Sequence, residues 1–168
     1  MTDMTMGAGA RQPGARREGR AFTIFIYAVQ FFFGGWFLAH GANHWLEFFP
    51  RPSGSSSTSH ELIAALNHSG LFVMVKALEI VTGVLLLANR FVPLAAVAAF
   101  PVTLSIAHLN LVANDDAMSH AVGVIIILLN GLIALGHLDK FLPMLVMNNG
   151  DPTDRGLRQL FGRRRDER

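Results

Sequence analysis

Long apolar stretches alternate with short polar segments along this chain. Residues 21–46, 91–113 and 117–138 carry no charged side chain, and residues 70–89 are apolar apart from Lys76 and Glu79. A bilayer's hydrocarbon core is about 30 Å thick, so a helix needs about 20 apolar residues to cross it. The pattern therefore predicts four spans, at about residues 21–39, 70–89, 91–113 and 117–138. The links after residues 89 and 113 are very short, so successive helices must run antiparallel. The expected fold is all-α: an integral membrane four-helix bundle with up-down-up-down topology.

The flanking segments complete the layout. Residues 1–20 are rich in Gly, Arg and Thr without apolar periodicity, which predicts a disordered basic tail. The membrane domain is expected over 21–147, ending in an apolar patch after Asp139 and Lys140 that rides the interface. A second basic tail, 148–168, follows. Gly34 and Gly35 in the first span are small enough to let a neighbouring helix approach. Trp45, Phe48 and Phe49 suit an interfacial aromatic belt. Pro50, Pro52 and Ser55-Ser56-Ser57 then break the helix. Thr58 and Glu61 fit a capping box, which predicts a short helix through Leu66 at the outer surface. Pro93 falls where a first helical turn tolerates proline.

Charge adds an orientation. The sequence pI near 9.7 could suggest nucleic acid, but the basic residues sit in tails beside apolar segments, and the aromatics are spaced for lipid contact. That placement suits an anionic membrane surface. With both ends inside, twelve of the fourteen Lys and Arg residues are cytoplasmic, Arg51 alone is outside, and Lys76 lies in a span. The positive-inside bias predicts cytoplasmic N and C termini in a bacterial plasma (inner) membrane. Arg16, Arg17 and Arg20 precede the first apolar stretch as in a signal peptide. That stretch is longer than a signal's apolar core, so an uncleaved first span is expected. Cysteine is absent, which excludes disulfides, thiolate nucleophiles, cysteine-held zinc and iron–sulfur clusters.

Candidate chemistry lies in two groups. At about 1.5 Å per residue, Glu79 falls about 16 Å from the inner end of its helix, near the midplane. Lys76 is its i,i+3 neighbour. Pro101, Gln30 and Asn130 reach the same middle third, so each helix offers a polar feature at one level. Glu79, Lys76, Gln30, Asn130 and His108 form the expected intramembrane polar pocket. An ionisable residue in a span marks a pathway or binding site; the alternative is a buried ion pair and interhelical hydrogen bonds that hold the bundle together. The second group is histidine. His40 and His44 share one helix face, and His108 and His120 lie at a similar height. These four could hold a metal, ligate haem or bond a quinone headgroup, or simply meet headgroups and water. No dedicated zinc spacing is present. His60, His68 and His137 read as surface or interface residues.

A resemblance enters on residues 66–116. Lys76-x-x-Glu79, Gly83, the leucine run and Asn89-Arg90-Phe91-Val92-Pro93-Leu94-Ala95 resemble the DoxX-like family of small four-span membrane proteins. Pro101-Val102, Ile106 and His108 extend the likeness into the third span. Gly41-Ala42-Asn43-His44 and Phe48-Phe49-Pro50 agree with it, so it covers about residues 21–140. The family takes its name from a subunit associated with thiosulfate:quinone oxidoreduction, and some members are linked to membrane oxidoreductase complexes and oxidative-stress defence. The resemblance implies a membrane subunit or scaffold of a quinone-linked redox or oxidative-stress assembly. Such a chain would be at most an accessory subunit of an oxidoreductase, with other redox-complex subunits as partners. Quinone is the cofactor it suggests, ahead of haem or a metal. Two other readings stay open: a homo-oligomeric small-molecule or proton-coupled transporter using Glu79, and a membrane anchor without chemistry.

Overall fold

The computed structural model describes residues 13–50 and 53–142. The expected tail at 148–168 lies outside these residues, as do residues 1–12 of the N-terminal one.

Six α-helices are described: α1 Pro13–Leu46, α2 Ser57–His68, α3 Leu71–Leu87, α4 Val92–His108, α5 Ala117–Gly136 and the single turn α6 Leu138–Phe141. A π-helical turn, Leu109–Ala113, continues α4. The part from α1 through His137 is one compact unit, and α6 belongs to a second. In the first unit α1 packs on α3, α3 on α4, α4 on α5, and α5 returns to α1, so the four long helices close a ring. This is the expected all-α bundle. The segments 19–46, 92–113 and 117–136 are each long and apolar enough to cross a bilayer, and α2 with α3 forms a fourth candidate bent by 86°. At 17 residues, α3 sits at the short end of the spanning range.

Unlike a water-soluble bundle, this one exposes large apolar side chains over its outer face. Large side chains such as Phe25, Phe32, Val81, Leu94, Phe100, Leu104, Ile125 and Leu128 are exposed on the outside. The interior combines a few large side chains, Phe33, Phe37, Leu86, Ile126 and Ile133, with small ones, including Ala95, Ala96 and Ala99 of α4 and the glycines Gly34 and Gly83. Lipid is as apolar as leucine, so sequestering bulky residues gains little there, and close backbone approach favours small residues inside.

Several ends differ from expectation. Helix α1 is described from Pro13, so residues 13–20 of the stretch expected to be a disordered tail are helical. It also runs on to Leu46, where the Asn43 side chain takes over the end. Asn43 Nδ2 donates to the Phe49 carbonyl at 2.9 Å and its Oδ1 accepts from the Phe49 N–H at 2.9 Å, while Glu47 turns left-handed. The capping box of α2 is built by Ser56 and Ser59 rather than by Thr58 and Glu61, so the helix starts earlier than the motif suggested. Gly70, at φ 74°, supplies the left-handed turn between α2 and α3. Asn89, at φ 52°, ends α3: its N–H reaches Leu86 O at 3.1 Å and the Arg90 N–H reaches Leu85 O at 2.9 Å. These two bonds form a Schellman motif with asparagine in the glycine position.

Candidate functional site

The densest polar interior lies on the α1–α3 seam. Residues 76, 79, 82, 83 and 86 share one helical face. Glycines bring the α1 backbone against that face. A Cβ on Gly83 would lie 2.7 Å from Leu38 N and 2.8 Å from Gly34 O, and one on Gly41 would lie 3.0 Å from Lys76 O. Gly34 makes the same approach on the α1 side, where a Cβ would meet Leu86 Cβ at 2.9 Å. Gly35, also expected to serve this role, has open space beside it.

Between the turns sealed by Gly41 and Gly83 sits the one charged pair of the interior among the described residues. Lys76 Nζ donates to both Glu79 oxygens, at 2.9 and 2.8 Å. Glu79 is 1% exposed, and the ammonium also lies 5.1 Å from the centre of the Phe72 ring. One turn further along, Thr82 spends its hydroxyl on its own helix, donating to Leu78 O at 2.7 Å. Removing one member of a buried pair strands the other's charge, which typically costs about 3–5 kcal/mol.

The remaining polar residues expected at this level are placed elsewhere. Gln30 is fully buried, and its Nε2 donates to Leu86 O at 2.8 Å and Asn89 Oδ1 at 3.1 Å. It therefore ties α1 to the last turn of α3 and makes no bond to Glu79. Asn130 of α5 donates to Thr103 Oγ1 of α4 at 2.9 Å, and both are buried. Thr103 escaped the sequence reading because a threonine in an apolar run resembles any β-branched residue. Pro101 and His108 lie on exposed positions of α4. The five-residue pocket is thus three separate contacts: an ion pair, an amide at a helix end and an amide–hydroxyl bond.

The four histidines do not gather either. His40 stacks on Trp36 at 4.6 Å and meets the edge of Phe49 at 5.0 Å. His44 packs edge-on against Trp45 and Phe72, while His108 and His120 are exposed. Among the described residues, no three His, Asp or Glu side chains stand where they could hold a metal ion.

Two other places draw polar groups together. At one end of the bundle, Asn114 Oδ1 accepts from Ser55 N–H at 3.0 Å, its Nδ2 donates to Ser119 Oγ at 3.1 Å, and Ser56 Oγ donates to Ala113 O. Asp116 caps α5, accepting from Ser119 Oγ at 2.6 Å and Ser119 N–H at 2.8 Å. Those bonds, with a further hydroxyl from Ser55, hold its carboxyl down at about 2. All of this latches the serine-rich loop onto the α4–α5 turn. At the opposite end, Phe22, Thr23, Ile26 and Tyr27 of α1 face Gly136 and His137 across a half-open recess of about 150 Å³.

The DoxX family model matches residues 25–113, which takes in most of α1, then α2, α3, α4 and the π-helical turn. No curated protein and no solved structure matches the chain. The matched region holds the glycine-sealed α1–α3 seam and its Lys76–Glu79 pair, and it exceeds half of the chain: this integral membrane protein belongs to the DoxX family.

Proposed function

We propose that the chain is a membrane subunit that scaffolds a quinone-linked redox or oxidative-stress assembly in a bacterial inner membrane, with both termini cytoplasmic. The observation that carries this reading is the closed Lys76–Glu79 pair. Both carboxylate oxygens are taken by one ammonium, and the glycine contacts on either side bring α1 backbone against the turns that carry it. A carboxylate so committed is a fixed structural charge within α3, neutralised on its own helix where the α1 backbone packs closely. A proton-loading acid in a self-sufficient transporter needs an oxygen free to meet water or substrate. Chemistry in such an assembly is shared with partner subunits, which the bulky outward side chains are suited to meet within the lipid. Family membership supports the architecture, and the redox setting follows from the family resemblance by analogy.

The test is purification from native membranes in mild detergent, followed by a visible spectrum, organic extraction and identification of co-purifying subunits. The expected result is quinone in the extract and a redox subunit in the complex. A colourless, quinone-free chain whose Glu79→Gln form abolishes flux in liposomes overturns the proposal in favour of a transporter. If Glu79→Gln and Lys76→Met both leave growth and assembly intact and no quinone is found, an anchor without chemistry remains. Reporter fusions check the topology and are expected to place both ends on the cytoplasmic side.

A further inference from the structure

The recess between α1 and α5 has features that neither the bundle's packing nor the α1–α3 seam requires. It is bounded by Phe22, Thr23, Ile26, Tyr27, Gly136 and His137. Its volume of about 150 Å³ is that of a protein cavity able to hold one benzene-sized ring. Its walls are two aromatic rings and an isoleucine, and Phe22 and Tyr27 are 54% and 41% exposed. A ligand could therefore enter sideways from the bilayer.

The polar groups add a constraint. His137 Nδ1 lies 3.0 Å from Ile133 O. A carbonyl can only accept, so Nδ1 carries the hydrogen. In the neutral ring Nε2 is then an acceptor, and it is the polar atom His137 has left to offer. Thr23 has already donated its hydroxyl hydrogen to Gly19 O at 2.9 Å, so it too offers only lone pairs. Tyr27 is the chain's single tyrosine, and its hydroxyl has no hydrogen-bond partner among the described residues, so it can donate or accept. Two of the three polar groups accept only, which selects a ligand that brings O–H donors on an aromatic ring.

We infer that this recess binds the head of a membrane-soluble quinol, with a ring hydroxyl donating to His137 Nε2 and Tyr27 bonding the other oxygen. The assignment rests on the quinone-linked reading above and deepens it: it names the site and the reduced form as the preferred ligand. A quinone offers carbonyl acceptors alone, which meet Nε2 and Thr23 with nothing to share.

The full chain in nanodiscs is titrated with a short-chain alkyl-benzoquinol under reducing conditions, and separately with the matching benzoquinone. The quinol is expected to bind at least about tenfold more tightly. His137→Phe, which keeps a ring and removes Nε2, is expected to weaken quinol binding about tenfold and to leave quinone binding unchanged. Tyr27→Phe is expected to weaken quinol binding about threefold, in keeping with the loss of one hydrogen bond. Tyr27 is exposed, so its variant reports even where His137→Phe fails to fold. Equal affinity for the two forms, or quinol binding unaltered in the variants, overturns the assignment while a quinone-linked role survives. A wild-type chain that holds neither form, whether added or extracted from native membrane, overturns both.

Discussion

The α1–α3 seam and the α4–α5 seam both join helices without the drive that water supplies, and they differ in what they bury. The first buries a full charge pair, Lys76–Glu79, the amide of Gln30 and the backbone-to-backbone contact of Gly34 with Gly83. The second buries the neutral Asn130–Thr103 bond, and its close contact is Gly123 against the Leu111 side chain, where a Cβ would lie 2.7 Å from Leu111 Cγ. Backbone cannot yield, whereas a leucine on a π-helical turn can rotate. The α1–α3 seam is therefore rigid and intolerant, and the α4–α5 seam is compliant. The family match covers all of the first seam and only the α4 side of the second.

Substitutions can break or sharpen that contrast. The largest effect is expected from Lys76→Met, which strands the buried Glu79 carboxylate and should cost about 3–5 kcal/mol, read as thermal or denaturant unfolding in detergent. Gly83→Ala comes next. Its new methyl group meets Leu38 N and Gly34 O, neither of which can move aside, so a loss of about 2–3 kcal/mol is expected by overpacking. Gly123→Ala meets a side chain instead and should lose about 1 kcal/mol. If the two glycines prove equally costly, the contrast between rigid and compliant seams is wrong.

Smaller still is the Asn130–Thr103 bond. Interhelical hydrogen bonds in membranes average about 0.6 kcal/mol, the coupling expected from a double-mutant cycle of Asn130→Leu and Thr103→Val. The smallest effect lies outside the spans, at Asp116. Its folded carboxyl titrates at about 2, below the ordinary 3.8. Its contribution is therefore complete above about pH 4 and is lost as pH falls toward 2, the direction for any depressed acid. Asp116→Asn should remove that limb from the difference between the two stability–pH curves and leave neutral pH nearly unchanged.

Much of the fold was legible because lipid makes a one-dimensional demand: enough apolar residues in a row. Four stretches met it, and four long helices stand there. The common level and grouping expected of Gln30, Glu79 and Asn130 were not legible, because they depend on how the helices slide and rotate against one another: Gln30 meets α3 at Leu86 and Asn89, about 10 Å along the helix from Glu79. Gln30 turns to the end of α3, and Asn130 turns to Thr103. With 3.6 residues per turn and 1.5 Å of rise per residue, small changes in rotation and offset separate groups that a count along the chain puts together. The cap of α2 was misplaced for a related reason. In a run of serines both Ser56–Ser59 and Thr58–Glu61 satisfy the pattern, and the contact of Ser56 with Ala113 O, distant in sequence, selects the first. His137 read as an ordinary surface residue because nothing in its neighbours along the chain announces a recess made with α1.

The most direct test of the central claim, that the buried charge pair is structural in a scaffold, is the double variant Lys76→Met/Glu79→Gln. Its unfolding stability and its recovery in the native complex are measured beside each single variant. Removing both charges should restore most of the stability lost in Lys76→Met and leave the complex assembled and active. A double variant that folds as stably as the natural chain but yields an inactive assembly would show that Glu79 carries chemistry.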